Sequence, residues 1–179
     1  AIWAVPQAFG GNEIWQREPT AKELKAMSWL AVTNGASGIQ YFIRHGMNSF
    51  PKSVLAWNSC TEAAHYISDL TPYILNAQRI ENILCSNASI SYRAWLRNNK
   101  LMIVAVNSSE NKQKAEFKLN INGLENKINI AYSEEIIPFK GQRFSYDFDA
   151  LEVAFFFVNP ALPGVQQENN TAKCKNLIL

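Results

Sequence analysis

The side chains that could do chemistry gather in two short stretches near the start of the chain. The first holds Gln7, Glu13, Trp15 and Arg17; the second holds Tyr41, Arg44 and His45, with Trp57 just beyond. Glu13 and His45 are the acid/base candidates, since a carboxylate and an imidazole can each hold and release a proton. Glu13 also reads as a loop carboxylate paired with Arg17, and His45 as a surface histidine. Gln7, Arg17 and Arg44 could orient hydroxyl groups. Trp15, Tyr41 and Trp57 carry aromatic faces with polar tips, which suit a sugar ring with its apolar C–H faces and polar edges. His65 sits inside a helical stretch and reads as structural. Serine and cysteine nucleophiles find no support: G-x-S-x-G is absent and no cysteine neighbours a histidine in a site-like pattern. Phe9-Gly10-Gly11-Asn12 is a turn, not a phosphate loop.

The elements that must position these residues follow a strand, helix, strand order. Residues 2–9 form an apolar run that predicts a buried strand. Thr20 is an N-cap, with Glu23 completing a capping box, and Asn34-Gly35 closes the helix. Within it, Leu24, Met27 and Ala31 keep helical spacing and Leu30 widens the apolar face. Residues 39–43 form the next strand. Such an order makes a parallel crossover. Side chains alternate along a strand, so Gln40 or Tyr41 points inward, not both. Trp3 and Trp29 read as core. A second helical stretch spans 53–75, with Ala63, Ile67, Leu70 and Ile74 on its buried face and Pro72 set to kink or split it.

From residue 86 the texture changes. Strands are predicted over 89–97 and 100–106, joined by a two-residue turn at Asn98-Asn99, then over 116–122, 127–132, 142–148 and 151–158. This is the pattern of an antiparallel β-sandwich with one polar face. Residues from 160 onward, rich in Pro, Gln and Asn, read as a flexible tail. The expected organisation is therefore an α/β unit over 1–85, an all-β unit over 86–159 and a tail over 160–179.

Composition bounds the function. Apolar residues make up 47% and charged residues 18% of the 179, which is a core-forming balance. A formal charge of +2 and scattered basic residues argue against nucleic acid. No apolar run is long enough to span a membrane, and Ala1-Ile2-Trp3 lacks the form of a secretion leader. Cys60, Cys85 and Cys174 have no metal-site spacing, so neither metal nor cofactor is expected. Three cysteines fit one internal disulfide plus a bond to another segment, or three reduced buried thiols. Sequons stand at Asn87, Asn107 and Asn169; with 19 Asn and 18 Ser plus Thr about two would arise by chance. Their count is weak, but all three fall in predicted turns or the tail, where glycans fit. A secreted or extracellular protein is the expectation, with the lysosome as a further compartment.

One block has a familiar grammar. Trp3-Ala4-Val5-Pro6-Gln7-Ala8-Phe9, then Arg17, Pro19-Thr20, Glu23 and Met27, then Gly35-Ala36-Ser37-Gly38-Ile39-Gln40-Tyr41-Phe42, resembles the seventh to eighth strands of glycoside-hydrolase-type (β/α)8 barrels. Phe144-Ser145-Tyr146-Asp147-Phe148 leading into residues 151–155 is similar to the closing strands of the β-sandwich that often follows such barrels. The resemblance covers 1–160. It implies strand 7, helix 7, strand 8 and helix 8 of a TIM-type barrel within 1–85, with the site at the C-terminal strand ends. Gln7, Trp15, Arg17, Tyr41, Arg44 and Trp57 would then line sugar subsites.

Glycoside hydrolysis needs two carboxylates. Where many such barrels carry a glutamate at the end of strand 7, this chain has Gln7, which can orient a hydroxyl but cannot be an acid or nucleophile. The resemblance therefore implies catalytic carboxylates outside this chain, on strands 4 and 6. An alternative is a non-catalytic extracellular structural or carbohydrate-binding component that keeps the scaffold. A third reading is a self-contained α/β-plus-sandwich binding module. Two parallel strands cannot close a barrel, so the expected partners are carbohydrate and a further barrel segment or partner chain that completes the fold.

Overall fold

The computed structural model describes residues 1–10, 16–42 and 54–160. Its first unit is a parallel strand pair, β1 (Trp3–Ala4) and β2 (Gly38–Ile39), joined through helix α1 (Ala21–Thr33). One register runs the length of the pair: Trp3 faces Gly38, Ala4 faces Ile39, and a bridge joins Gln7 to Phe42. The backbone bonds Ser37 N to Ile2 O, Gln40 N to Ala4 O, Phe42 N to Pro6 O and Ala8 N to Phe42 O extend the ladder well past the regular strands. The predicted strand over 2–9 is interrupted because Pro6, on the bonded side, has no N–H to donate.

Helix α1 carries both halves of its capping box. Thr20 Oγ1 accepts from Glu23 N at 3.3 Å, and Glu23 Oε2 accepts from Thr20 N at 2.7 Å. It ends in a Schellman motif, with Ala36 N bonded to Ala31 O and Gly35 N to Val32 O at φ +98° for Gly35. A longer helix, α2 (Val54–Asn76), lies against it and runs through Pro72 as one element, so of the expected kink or split the split is absent.

Nine further strands follow: β3 (Gln78–Ile80), β4 (Ile83–Cys85), β5 (Ile90–Arg97), β6 (Lys100–Asn107), β7 (Gln113–Leu119), β8 (Lys127–Ile130), β9 (Ile136–Pro138), β10 (Arg143–Phe148) and β11 (Val153–Val158). They form a six-stranded sheet in the order β3-β5-β6-β11-β8-β9 and a three-stranded sheet in the order β10-β7-β4, all antiparallel. The sequence reading missed β3, β4 and β9. All three are short, all lie at sheet edges, and β9 ends in Pro138, so each carries little pattern of its own. The turn at Asn98-Asn99 is as expected, with φ of 50° and 59° at its two residues.

The two sheets share one core. Leu101, Ile103, Ala105 and Phe156 of the larger sheet meet Phe117, Leu119, Phe144 and Phe148 of the smaller one. Phe117 and Phe144 stack at 4.9 Å, and Phe144 meets Phe156 edge-on at 5.0 Å. The other face of the larger sheet is apolar too: Met102, Val104, Val106, Trp95 and Phe155 pack beneath Ala26, Trp29 and Val32 of α1 and Leu70 of α2. The expected polar face is therefore buried. Helices cover it, and β6 is consequently buried along nearly its whole length.

Two turns that read as glycan acceptors are structural clamps. Asn107 is fully buried; its Nδ2 donates to Asn111 O and Asp149 O, both at 2.8 Å, and its Oδ1 accepts from Ser109 N at 2.9 Å. Asn87 repeats the device: Nδ2 donates to Gln113 Oε1 and Lys114 O, while Oδ1 accepts from Ser89 N. In both, the sequon's serine closes an Asx turn. Both amide hydrogens of Asn107 are used in these bonds, so a glycan there would have to displace one of them; Asn169 lies outside the described residues. Cys60 is buried and Cys85 half-buried; both are free thiols, with burial raising each above the ordinary range, and Cys174 lies outside the described residues. Asn107→Ala should cost roughly 1–3 kcal/mol by removing the three hydrogen bonds of a buried side chain, read as a fall in the denaturation midpoint. An unchanged midpoint would show that the clamp carries no load.

Candidate functional site

Both parallel strands end at one place, so the site is best built from the strand pair upward. Period-two alternation and the fixed register put Trp3, Val5 and Gln7 on one face with Gly38, Gln40 and Phe42. That face is open: Trp3 is 64% exposed, Val5 59% and Phe42 52%. The opposite face carries Pro6 and Ala8, which are buried, and Ile39 and Tyr41, which pack against the helices. Trp3 is thus not core within these residues, in contrast to the sequence expectation; it lies across Gly38, where a Cβ would meet its ring at 2.8 Å. Trp29 is fully buried as expected, edge-on to Phe155 at 4.7 Å.

The register also settles which of Gln40 and Tyr41 turns toward the helices. Tyr41 does. Its hydroxyl bonds Ser28 Oγ at 2.8 Å, its ring packs beside Leu24, Ala56 and Cys60, and burial raises its pKa. Among the described residues it packs between β2 and the helices, turned away from the open face. Gln40 is exposed on the open face.

At the strand tips, Gln7 Nε2 donates to Phe9 O at 2.6 Å, and Phe9 meets Phe42 edge-on at 4.9 Å. Gly10 touches the backbone of Arg17 and Glu18 so closely that any Cβ would overlap it. Arg17 is held in turn: its guanidinium makes two 2.7 Å bonds to the Glu23 carboxylate and a third bond to Glu18 O. Both ends of the connection that carries Glu13 and Trp15 are therefore pinned. Arg17, expected as a substrate contact, has its charge committed to the capping box. Gln7, Arg17, Glu23 and Met27 border a cleft of about 500 Å³ that reaches Ser108 and Glu110 of the β6–β7 turn.

Trp57 is 61% exposed near the start of α2. On the helix it shares a stripe with Ala64, Ser68, Thr71 and Leu75, at spacings of seven, eleven, fourteen and eighteen residues. Ala64, Ser68, Thr71 and Leu75 line a groove of about 330 Å³ beside β2, with Gly38, Ile39 and Tyr41 on its other wall. Trp57 and Gln7 are thus not drawn into one pocket. His65 is exposed on the outward face of α2 instead of being packed. Glu13, Trp15, Arg44 and His45 lie outside the described residues. Among those described, no group of His, Cys, Asp or Glu could hold a metal ion, and no helix is long and apolar enough to cross a membrane.

Known structures share this fold over most of the chain. An Anoxybacillus α-amylase matches it with a TM-score of 0.55 at 12% identity, over 80% of this chain and 33% of its own. An α-amylase from Geobacillus thermoleovorans, in complex with acarbose, matches with a TM-score of 0.57 at 9% identity, over 79% and 34%. A GH30 endoxylanase from Clostridium papyrosolvens matches with a TM-score of 0.53 at 16% identity, over 89% and 42%. The chain has the fold of the C-terminal part of glycoside-hydrolase-type proteins. It spans about a third to two fifths of their length. No protein-family profile and no curated protein matches the sequence.

The Arg17–Glu23–Thr20 network gives a pH signature. Hydrogen bonding from Arg17, then from the Thr20 backbone, lowers the Glu23 carboxyl to about 2. A carboxylate lowered in the fold stabilises it above its unfolded value of about 4.3, and that contribution fades as pH falls toward the folded value. The melting-temperature gap between the wild type and Glu23→Gln should be present at neutral pH and close in acid as pH falls toward about 2. A gap that does not change with pH would contradict the network.

Proposed function

We infer that this chain is the C-terminal portion of a secreted glycoside-hydrolase-like protein that acts on or binds carbohydrate. In this reading β1, α1, β2 and α2 are strand 7, helix 7, strand 8 and helix 8 of a TIM-type barrel, and the two antiparallel sheets are an appended β-sandwich. The observation that carries it is the open strand face. Trp3, Val5 and Phe42 sit where a barrel's inward side chains would be, on a two-stranded parallel sheet whose edges are unpaired among the described residues. Parallel sheets are covered on both faces in folded proteins, and further strands would cover this one. Gly38 supports it, since its missing side chain gives Trp3 room to lie across the sheet.

The chain would contribute walls and supports to the reaction, not the bond-breaking pair. Neither β1 nor β2 ends on a carboxylate among the described residues, and Gln7 is bonded back to Phe9 O. The acid and its partner carboxylate would stand on strands 4 and 6 of the completed barrel, with Gln7 at the rim of the sugar site. Solved proteins of this fold have been crystallised with maltose, maltotriose and acarbose, which makes oligosaccharides the ligands to try first. Secretion in this reading rests on the sequon at Asn169, since Asn87 and Asn107 use their amides within the fold and Cys60 and Cys85 are free thiols.

Sequencing the transcript upstream of the Ala1 codon tests the proposal. The expected result is an open frame of alternating strand and helix units with a Glu or Asp at the ends of the fourth and sixth strands. Such units without those carboxylates would favour the non-catalytic carbohydrate-binding component. An initiator codon directly before Ala1 would overturn the barrel reading.

A further inference from the structure

Away from the strand tips, one exposed aromatic is held in a backbone conformation that its side chain does not favour. Tyr132, in the β8–β9 turn, has φ of 61°. A bulky residue pays strain in this left-handed region, where glycine or asparagine would turn the chain more easily. The ring is not placed there by burial, because Tyr132 is 57% exposed. It meets Tyr66 of α2 edge-on at 4.6 Å and Phe155 at 5.9 Å, and its hydroxyl reaches Asp69 Oδ2 at 3.5 Å. Strained, exposed and aimed by neighbours is the condition of a residue kept for contact with something else.

What lies beside it is a shallow groove of about 470 Å³ along the outward face of α2, lined by Asn58, Thr61, Glu62, His65, Tyr66 and Asp69. These positions span twelve residues of helix, eleven steps of 1.5 Å or about 16 Å end to end. We propose that this groove, closed at one end by Tyr66 and Tyr132, is a second carbohydrate-binding surface, remote from the strand tips, that takes a neutral oligosaccharide. The lining supplies what such a ligand needs: aromatic rings at one end, and amide, hydroxyl, imidazole and carboxylate groups that pair with sugar hydroxyls along the rest. A cationic ligand is disfavoured, because Lys25 Nζ already sits 4.4 Å from the centre of the Tyr66 ring. An acidic ligand would face Glu62 and Asp69.

This inference rests on the carbohydrate reading above, and the test separates the two. Affinity electrophoresis in native gels containing soluble starch or xylan would compare the full chain, fused to a soluble carrier without sugar affinity, with Tyr132→Asn and Asp69→Ala. Asparagine tolerates the left-handed turn, so Tyr132→Asn should melt within a few degrees of the wild type. The expected result is retardation of the wild type in one of the two gels, weakened about tenfold or more in Tyr132→Asn, as for a central aromatic anchor, and weakened in Asp69→Ala. Equal retardation of all three would overturn this surface and leave the carbohydrate reading standing. No retardation of the wild type in either gel would also overturn it, and the parent fold would then be judged on the upstream carboxylates alone.

Discussion

Helix α1 has to bury two apolar surfaces at once, and the rest of the structure is arranged around that demand. On one side Ala26, Trp29 and Val32 press onto the six-stranded sheet. On the other, Leu24 and Met27 meet Ala8, Ala56, Cys60 and Tyr41. A helix with one apolar stripe could be lifted from its sheet; a helix with two joins what lies on either side of it. The strand pair and the antiparallel sheets are therefore fixed to each other through α1, and the larger sheet gives up the solvent-facing side that such sheets commonly keep. Because both helices lie on one side of the strand pair, its other face is left with Trp3, Val5 and Phe42.

The ends of α1 extend this control to the strand tips. The capping box at Thr20 is also the anchor of Arg17, and Arg17 lies against Gly10. A helix start, a loop closure and a strand end thus share one small network, in which Glu23 accepts from both Thr20 N and the Arg17 guanidinium. The residues that looked like ligands in this region serve mainly as supports: Arg17 neutralises the cap and Tyr41 ties β2 to Ser28.

Much of this was legible in the sequence, for reasons that are local. The capping box, the Asn-Gly helix end and the Asn-Asn hairpin turn each depend on a few neighbouring residues, and each is as expected. What was not legible depends on partners distant in the chain. Trp3 reads as core by type, but its burial depends on strands that no described residue provides. Tyr41 and Gln40 could not be told apart until the register with β1 was known, because a shift of one residue exchanges faces. Asn87 and Asn107 have the letters of glycan acceptors, and only their carbonyl partners show them to be clamps. Trp29 and Val32 lie off the stripe read from Leu24, Met27 and Ala31, since a helix buried on two sides carries two patterns at once.

In the proposed barrel, further polypeptide has to cover the open strand face. Size-exclusion chromatography with light scattering on the isolated chain measures this most directly. The account predicts concentration-dependent self-association that polar substitution at Trp3 and Phe42 suppresses. A monodisperse, cooperatively unfolding monomer at every concentration would contradict it.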